Sequence, residues 1–134
     1  MRIMGHNLLA ILVAAVAIYM LEFLQFAVII PGEQYMAMMG LTEAQGAAAE
    51  ARMPIGVVMP ILAALGLSVA IKWRGAPGAV AGASTAVIVG VLFAFSASMY
   101  GYVYGAANEQ FLLANLIHFV GVYAVAGAII GAWK

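Results

Sequence analysis

The chain has 134 residues, of which 67% are hydrophobic and 7% are charged, and its formal net charge is zero. Soluble domains carry about 25% charged residues, so this composition predicts a protein embedded in lipid, with no room for a soluble domain or a nucleic-acid-binding face. Cysteine is absent, which excludes disulfides, thiolate metal sites and cysteine nucleophiles.

Four apolar runs are long enough to cross a membrane, at about residues 7–30, 54–72, 77–100 and 109–132. At ~1.5 Å per helical residue, each run covers the ~30 Å hydrocarbon core of a bilayer. The first run exceeds the ~7–15 residues of a signal-peptide core and is followed by no small-residue cleavage site, so we interpret it as a retained span. We predict an all-α fold, in which residues 1–134 form one integral membrane domain, a bundle of four transmembrane helices.

The segment between the first two spans carries its own signals. Pro31 and the glycine after it predict the end of span one. Thr42 and Gln45 have the spacing of a capping box, which predicts a short amphipathic helix at about 42–52 on the outer membrane surface. Pro60 falls inside the second run, so we expect it to kink that span.

Small residues recur at every fourth position of span three, and span four has a pair of its own. Such stripes let two helices approach closely, so we expect spans three and four to make the closest contacts, within the bundle or between copies. Stripes that one bundle does not need would favour self-association or a partner membrane protein. The predicted packing residues are Gly82, Ala86, Gly90, Ala94, Gly127 and Gly131.

The basic residues predict how the bundle is oriented. Only Arg52 lies on one side of the four-span arrangement, whereas the other four basic residues lie on the opposite side. By the positive-inside rule, both termini and the turn at 73–78 are cytoplasmic. The predicted location is the inner membrane of a bacterium, with the lipid bilayer as the constant partner.

Glu22 and His118 are the most informative residues, because both lie ~12 Å deep from the outer side, in spans one and four. Gln25 and Asn115 lie one turn further out on the same helical faces, which predicts two pairs, Glu22 with His118 and Gln25 with Asn115. Two interpretations stay open. The pairs only fix helix register, or they form an outward-facing site for a cation, a proton or a small polar ligand.

Other chemistry has weaker support in the sequence. His118 and the outer methionines are soft ligands suited to Cu(I), but methionine is an ordinary apolar filler, and we predict no metal site. We expect His6 at the cytoplasmic edge, facing solvent or headgroups, which separates it from His118 and disfavours a bis-histidine haem. No nucleophile–base pair or phosphate loop appears, so we predict no enzyme and no cofactor. The outer methionines are Met36, Met38, Met39, Met53, Met59 and Met99.

Several short motifs resemble a known family. Asn7 opens span one, Met39-Gly40-Leu41-Thr42-Glu43 follows that span, the third span is rich in Gly and Ala, and Gly127-Ala-Ile-Ile-Gly131-Ala-Trp133 closes the chain. With these the chain resembles, over most of its length, the four-span bacterial membrane family called domain of unknown function 1761. The resemblance implies a four-helix inner-membrane protein and no activity. The small multidrug-resistance family also has four spans and an acid in the first, but its outer loop is shorter and the basic residues here fix one orientation.

The sequence therefore predicts a non-enzymatic membrane protein that works as a small homo-oligomer or as an accessory subunit of a membrane complex. The alternative is a small transporter or channel that uses the Glu22 and His118 site in the outer half of the membrane.

Overall fold

The fold is known from a computed structural model that describes residues 2–3, 5–75 and 77–133. It is 84% helical and all-α in class, as predicted. Four helices are long enough and apolar enough to cross a membrane, and we number them spans 1 to 4: Leu8–Ile29, Met53–Arg74, Ala79–Val103 and Glu109–Ala132. The largest departure from the predicted bounds is the end of span 3, at residue 103 where 100 was expected.

Spans 1 to 3 each combine more than one type of helix, span 4 is a single α-helix, and short elements lie between the spans. Two strands form an antiparallel hairpin, β1 at Arg2–Ile3 and β2 at His6–Asn7. Span 1 consists of α1 (Leu8–Phe23) and a π-helical segment (Leu24–Ile29); α2 (Gly32–Met39) and α3 (Glu43–Glu50) follow it. Span 2 is a 3₁₀ segment (Met53–Val57) and α4 (Val58–Arg74); span 3 is α5 (Ala79–Val89), a π-helical segment (Gly90–Phe95) and α6 (Ser96–Val103); span 4 is α7 (Glu109–Ala132).

Side-chain caps fix where spans 1 and 4 begin. The Asn7 side-chain oxygen accepts hydrogen bonds from the backbone N–H groups of Leu9 at 3.2 Å and Ala10 at 3.4 Å. The Asn108 side-chain oxygen accepts one from the N–H of Phe111 at 3.1 Å. Each cap satisfies N–H groups that have no partner inside the helix, so both starts are encoded locally.

Hydrogen bonds between spans place both ends of the chain on one side of the bundle. The Asn7 side-chain amide donates to the carbonyl of Trp133 at 2.9 Å, and the N–H of Gly78 donates to the carbonyl of Gly131 at 3.2 Å. We call this side, which also carries the turn between spans 2 and 3, the terminal end. The opposite side, with α2, α3 and the connection between spans 3 and 4, is the loop end.

Spans 3 and 4 approach closely, as the small-residue stripe predicts. A Cβ atom added at Gly82 would collide with the carbonyl oxygen of Gly127 and lie 2.9 Å from the Cα of Gly131. A Cβ at Gly90 would lie 2.7 Å from the carbonyl oxygen of Phe119. These glycines therefore pack within one chain, so they give no reason to expect a contact with a second copy.

The remaining members of the stripe differ in how deeply they are buried. Ala86 is fully buried against Gly127. Ala94 is only half-buried, and it lies in the π-helical segment, where the wider helical turn shifts the four-residue spacing on which the stripe depends.

Two local features were not predicted. Span 2 starts with a 3₁₀ turn, and Pro60 is the third residue of α4, which begins at Val58. The kink expected at Pro60 stays a prediction. The segment after Pro31, for which no helix was predicted, forms α2.

Candidate ligand cavity at Glu22 and His118

Helices α2 and α3 form a roof over the loop end, and local bonds determine α3. The backbone N–H of Thr42 donates to the Gln45 side-chain oxygen at 2.9 Å, and the N–H of Gln45 donates to the Thr42 hydroxyl at 3.4 Å. This is the predicted capping box, and α3 begins at the next residue, Glu43, as expected.

The roof is attached to spans 3 and 4. Met38 is 2% exposed and packs against Phe111, and its carbonyl accepts a hydrogen bond from the N–H of Asn108 at 2.9 Å. Gly40, with a φ of 66°, ends α2, and a Cβ there would lie 2.5 Å from the carbonyl oxygen of Ala106. Only glycine fits both the left-handed backbone and this close approach, so the position of the roof depends on Gly40.

Glu22 and His118 lie close together, as predicted. The Nε2 atom of His118 is 3.5 Å from the Oε1 atom of Glu22. Charge-assisted N–H···O bonds are usually about 2.7–2.9 Å long, so the two groups are in reach of each other without a tight bond. His118 is 5% exposed and Glu22 is 28% exposed. The carboxylate therefore keeps a face open beside a buried imidazole.

The second predicted pair does not form. Gln25 donates from Nε2 to the backbone carbonyl of Ala114 at 2.8 Å, and it does not bond Asn115. Equal depth does not fix the pairing, because the rotation of span 1 against span 4 places Gln25 at the backbone of Ala114 and Asn115 at a cavity. Gln25 instead lines a separate apolar groove of about 590 Å³ between spans 1 and 4.

Two buried nitrogen atoms next to the pair have no partner. The Nδ2 atom of Asn115 and the Nδ1 atom of His118 make no hydrogen bond with any residue that the structure describes. Asn115 is 8% exposed, so water at the protein surface does not replace the missing bond. The two residues are three positions apart on α7 and therefore share a helical face.

That face borders a cavity of about 750 Å³ below the roof, in the loop-end half of the bundle. Glu22, Asn115 and His118 all line it. Most of the remaining wall is apolar or aromatic, with ring contacts such as the 5.0 Å separation of the His118 and Phe119 rings. The aromatic lining residues are Phe26, Tyr35, Phe111, Phe119 and Tyr123.

The charges around the cavity are acidic. Glu22 and Glu50 line it, and within the described ranges no lysine or arginine does. Tyr35, in the roof, is largely buried, and burial raises the pKa of its phenol, so its hydroxyl stays protonated. The cavity therefore has a mostly apolar wall with a few hydrogen-bonding groups, next to the Glu22 carboxylate and the His118 imidazole.

The outer methionines do not form a shared cluster at this site. Met36, Met53 and Met59 line the cavity, but the exposed fractions of Met53 and Met59 are 68% and 65%. Side chains so exposed behave as lipid-facing apolar groups. In the part of the chain that the structure describes, no group of three or more His, Cys, Asp or Glu residues could hold a metal ion.

The terminal end holds a second polar cluster with a different character. His6 was expected to face solvent or headgroups, but it is half-buried and its Nδ1 atom lies 2.8 Å from the Ser68 hydroxyl. Arg74 donates to the hydroxyls of Ser84 at 2.6 Å and Thr85 at 2.7 Å. These contacts explain why hydroxyl residues are tolerated in the apolar spans.

Some of the cavity residues were missed in the sequence, although span 4 carried a signal for them. Phe111, Asn115, Phe119 and Tyr123 recur at every fourth position, and all four line the cavity. This four-residue spacing places all four side chains on one face of span 4, and that pattern identifies them from the sequence. Tyr35 had no such signal, because its place depends on α2 folding back over the spans.

The comparisons with known proteins add no relative to this description. The chain matches no protein-family model, no curated protein and no solved structure.

Proposed function

We propose that the chain is a multi-pass protein of a bacterial inner membrane, with both termini in the cytoplasm. The support is the common terminal end of the bundle, which carries Lys72 and Arg74, together with the excess of basic residues on that side in the sequence. Membership of the domain of unknown function 1761 family is part of the same proposal and rests on the short motifs.

A thiol-labelling experiment tests this orientation. The chain has no cysteine, so Ala48→Cys in α3 and Pro77→Cys in the turn between spans 2 and 3 give single reporters at exposed positions. A membrane-impermeant thiol reagent is expected to label position 48 in intact cells, and position 77 only after the membrane is opened. The reverse pattern would overturn the orientation.

The proposed role of the Glu22 and His118 site is the binding of a small molecule in the cavity, as in a small transporter or carrier, without catalysis. The observation that carries this proposal is a cavity of about 750 Å³ lined by the partly exposed Glu22 and by Asn115 and His118, each of which has a buried nitrogen with no partner among the described residues. A contact that only fixes helix register gains nothing from such atoms, because an unsatisfied polar group in an apolar interior costs stability. A bound ligand would satisfy them.

Self-association, or a role as an accessory subunit, remains a separate proposal. Its main support was the small-residue stripe, and spans 3 and 4 use that stripe within one chain. The ligand-binding role therefore has the stronger support.

The binding role is tested by filling the cavity. Ala63 lines it, so Ala63→Phe should occupy the space, whereas Leu62→Phe on the exposed side of the same helix is a matched control. Each protein is purified in mild detergent after incubation with a bacterial lipid extract, and native mass spectrometry measures bound small molecules. We expect an adduct on the wild type and on Leu62→Phe, and none on folded Ala63→Phe. An adduct that survives Ala63→Phe, or no adduct on the wild type, would contradict the proposal.

A further inference from the structure

We infer that the cavity binds an uncharged lipophilic molecule through a carbonyl oxygen, held by Asn115 and His118. The inference rests on the proposed binding function and narrows it to one class of ligand. It is carried by the chemistry of the two unpartnered nitrogens and by the composition of the wall around them.

Asn115 determines which ligand atom is needed. Its Nδ2 atom is a hydrogen-bond donor only, so the missing partner must be an acceptor. In a buried apolar site an unmade hydrogen bond is costly, and the group that restores it should be an oxygen with free lone pairs.

His118 provides a second donor next to the first. Its Nε2 atom faces Glu22, which leaves Nδ1 directed away from the carboxylate. Nδ1 carries a hydrogen when the imidazole is protonated, and also when a protonated Glu22 donates to Nε2. A carbonyl oxygen has two lone pairs and can accept from both nitrogens. When a neutral imidazole donates from Nε2 to ionised Glu22, Nδ1 is an acceptor, and Asn115 is then the single donor to the carbonyl.

The unpartnered donor and the carboxylates together disfavour charged ligands. A cation would be attracted by Glu22 and Glu50, but it cannot accept a hydrogen bond and would leave the Asn115 donor unsatisfied. An anion would face Glu22 and Glu50, with no lysine or arginine among the described lining residues to balance it. An uncharged polar atom meets neither obstacle.

The size and wall of the cavity describe the rest of the molecule. A volume of about 750 Å³ lies within the ~300–1,000 Å³ range of small-molecule sites. Aromatic rings such as Phe26 and Phe119 surround the polar atoms, and the Phe26 and His118 rings are 5.4 Å apart. Rings in offset or edge contacts pack well against planar apolar groups. Two sources of such a carbonyl are a quinone ring and the ester of an acyl lipid.

Four probes with the same alkyl chain separate these possibilities. They are a decyl-substituted benzoquinone, methyl decanoate, decyltrimethylammonium and decylbenzene, each titrated by calorimetry into the full chain in mild detergent. We expect at least one carbonyl probe to bind about tenfold more tightly than decylbenzene, which corresponds to about 1.4 kcal/mol. Tighter binding of the quinone or of the ester identifies the source of the carbonyl, and either result supports the inference.

Variants of Asn115 link that preference to the site. Asn115→Leu keeps the side-chain volume and removes the donor, so the carbonyl advantage should disappear, and Asn115→Ala serves if the leucine does not fold. Gln110→Leu, on the same helix beside the separate apolar groove, is the control that should bind as the wild type does.

The outcomes distinguish this inference from the proposed function. Equal binding of the carbonyl probes and decylbenzene, tightest binding of the cation, or an unchanged preference in Asn115→Leu would overturn the inference. If Ala63→Phe still removes the lipid-extract adduct in that case, the cavity remains a binding site for another class of molecule. Absence of both probe binding and an adduct would reject the inference and the function together.

Discussion

The polar cluster at the terminal end and the polar residues at the cavity differ in how their side chains are paired. At the terminal end, His6 bonds Ser68, Asn7 bonds the carbonyl of Trp133, and Arg74 bonds two hydroxyls. In the loop-end half, the buried nitrogens of Asn115 and His118 have no partner among the described residues. Paired polar groups stabilise a fold, whereas buried unpaired ones cost stability and persist where they serve a ligand.

The backbone conformation also differs between the two halves of the bundle. Near the terminal end, spans 3 and 4 are regular α-helices in backbone contact at Gly82 and Gly127. Towards the loop end, spans 1 and 3 both change to π-helical segments, Leu24–Ile29 and Gly90–Phe95. Such segments are frequent at functional sites, because they leave room and redirect side chains. We therefore interpret the terminal-end half as the part that holds the helices together and the loop-end half as the part suited to binding a ligand.

The largest expected effect is on the packing half. Gly82→Leu would force a branched side chain against the backbone of Gly127 and Gly131, and we expect it to lower stability by about 3 kcal/mol or more, or to prevent folding. Val80→Leu, on the exposed side of the same helix, is the control. Thermal unfolding in detergent measures both variants. Equal melting temperatures would show that the stripe does not set the packing.

A smaller loss is expected when a paired polar group is removed. Ser68→Ala deletes the 2.8 Å contact with His6 and leaves the imidazole nitrogen without that partner, which should cost about 1 kcal/mol. Ser98→Ala is the control, because among the described residues the Ser98 hydroxyl bonds the carbonyl of Phe95 in its own span and no other span. If both variants unfold at the same temperature as the wild type, the pairing at the terminal end is not stabilising.

In the ligand-free protein, Asn115→Leu should not lower stability as Ser68→Ala does. The leucine fills the same volume and removes an unsatisfied donor, so we expect stability to stay the same or to rise by about 1 kcal/mol. Unfolding of the protein after removal of bound lipophiles gives this value. A clear loss of stability would mean that Asn115 has a structural bond, and the contrast between the two halves would fail.

The smallest expected change in stability is that of Glu22→Gln, below about 0.5 kcal/mol. An amide keeps the shape and can still hydrogen-bond the His118 Nε2 atom 3.5 Å away, and the side chain is partly exposed. Unfolding and native mass spectrometry on the same sample test whether stability and ligand retention separate. A folded variant that loses its adduct supports a functional pair, whereas unchanged retention returns Glu22 to a structural role.

Local pattern was enough to predict the spans and the start of α3. Hydropathy marked the four runs, and the Thr42 capping box predicted α3. These features depend on residues within a few positions of one another, so no knowledge of the fold is needed. The four-residue stripe likewise predicted the contact of Gly82 with span 4, because helical periodicity fixes which residues share a face.

Equal depth in two spans also predicted that Glu22 and His118 would lie close together, but it failed for the next turn outward. The relative rotation of two helices is not visible in an apolar pattern. That rotation places Gln25 against the carbonyl of Ala114 and Asn115 at a cavity. The sequence by itself determined the membrane-length helices and the position of each polar residue along its helix, through hydrophobicity and helical rise. Only the tertiary structure decided which polar residues meet and that α2 covers them, because those outcomes depend on helix rotation and on packing between distant segments.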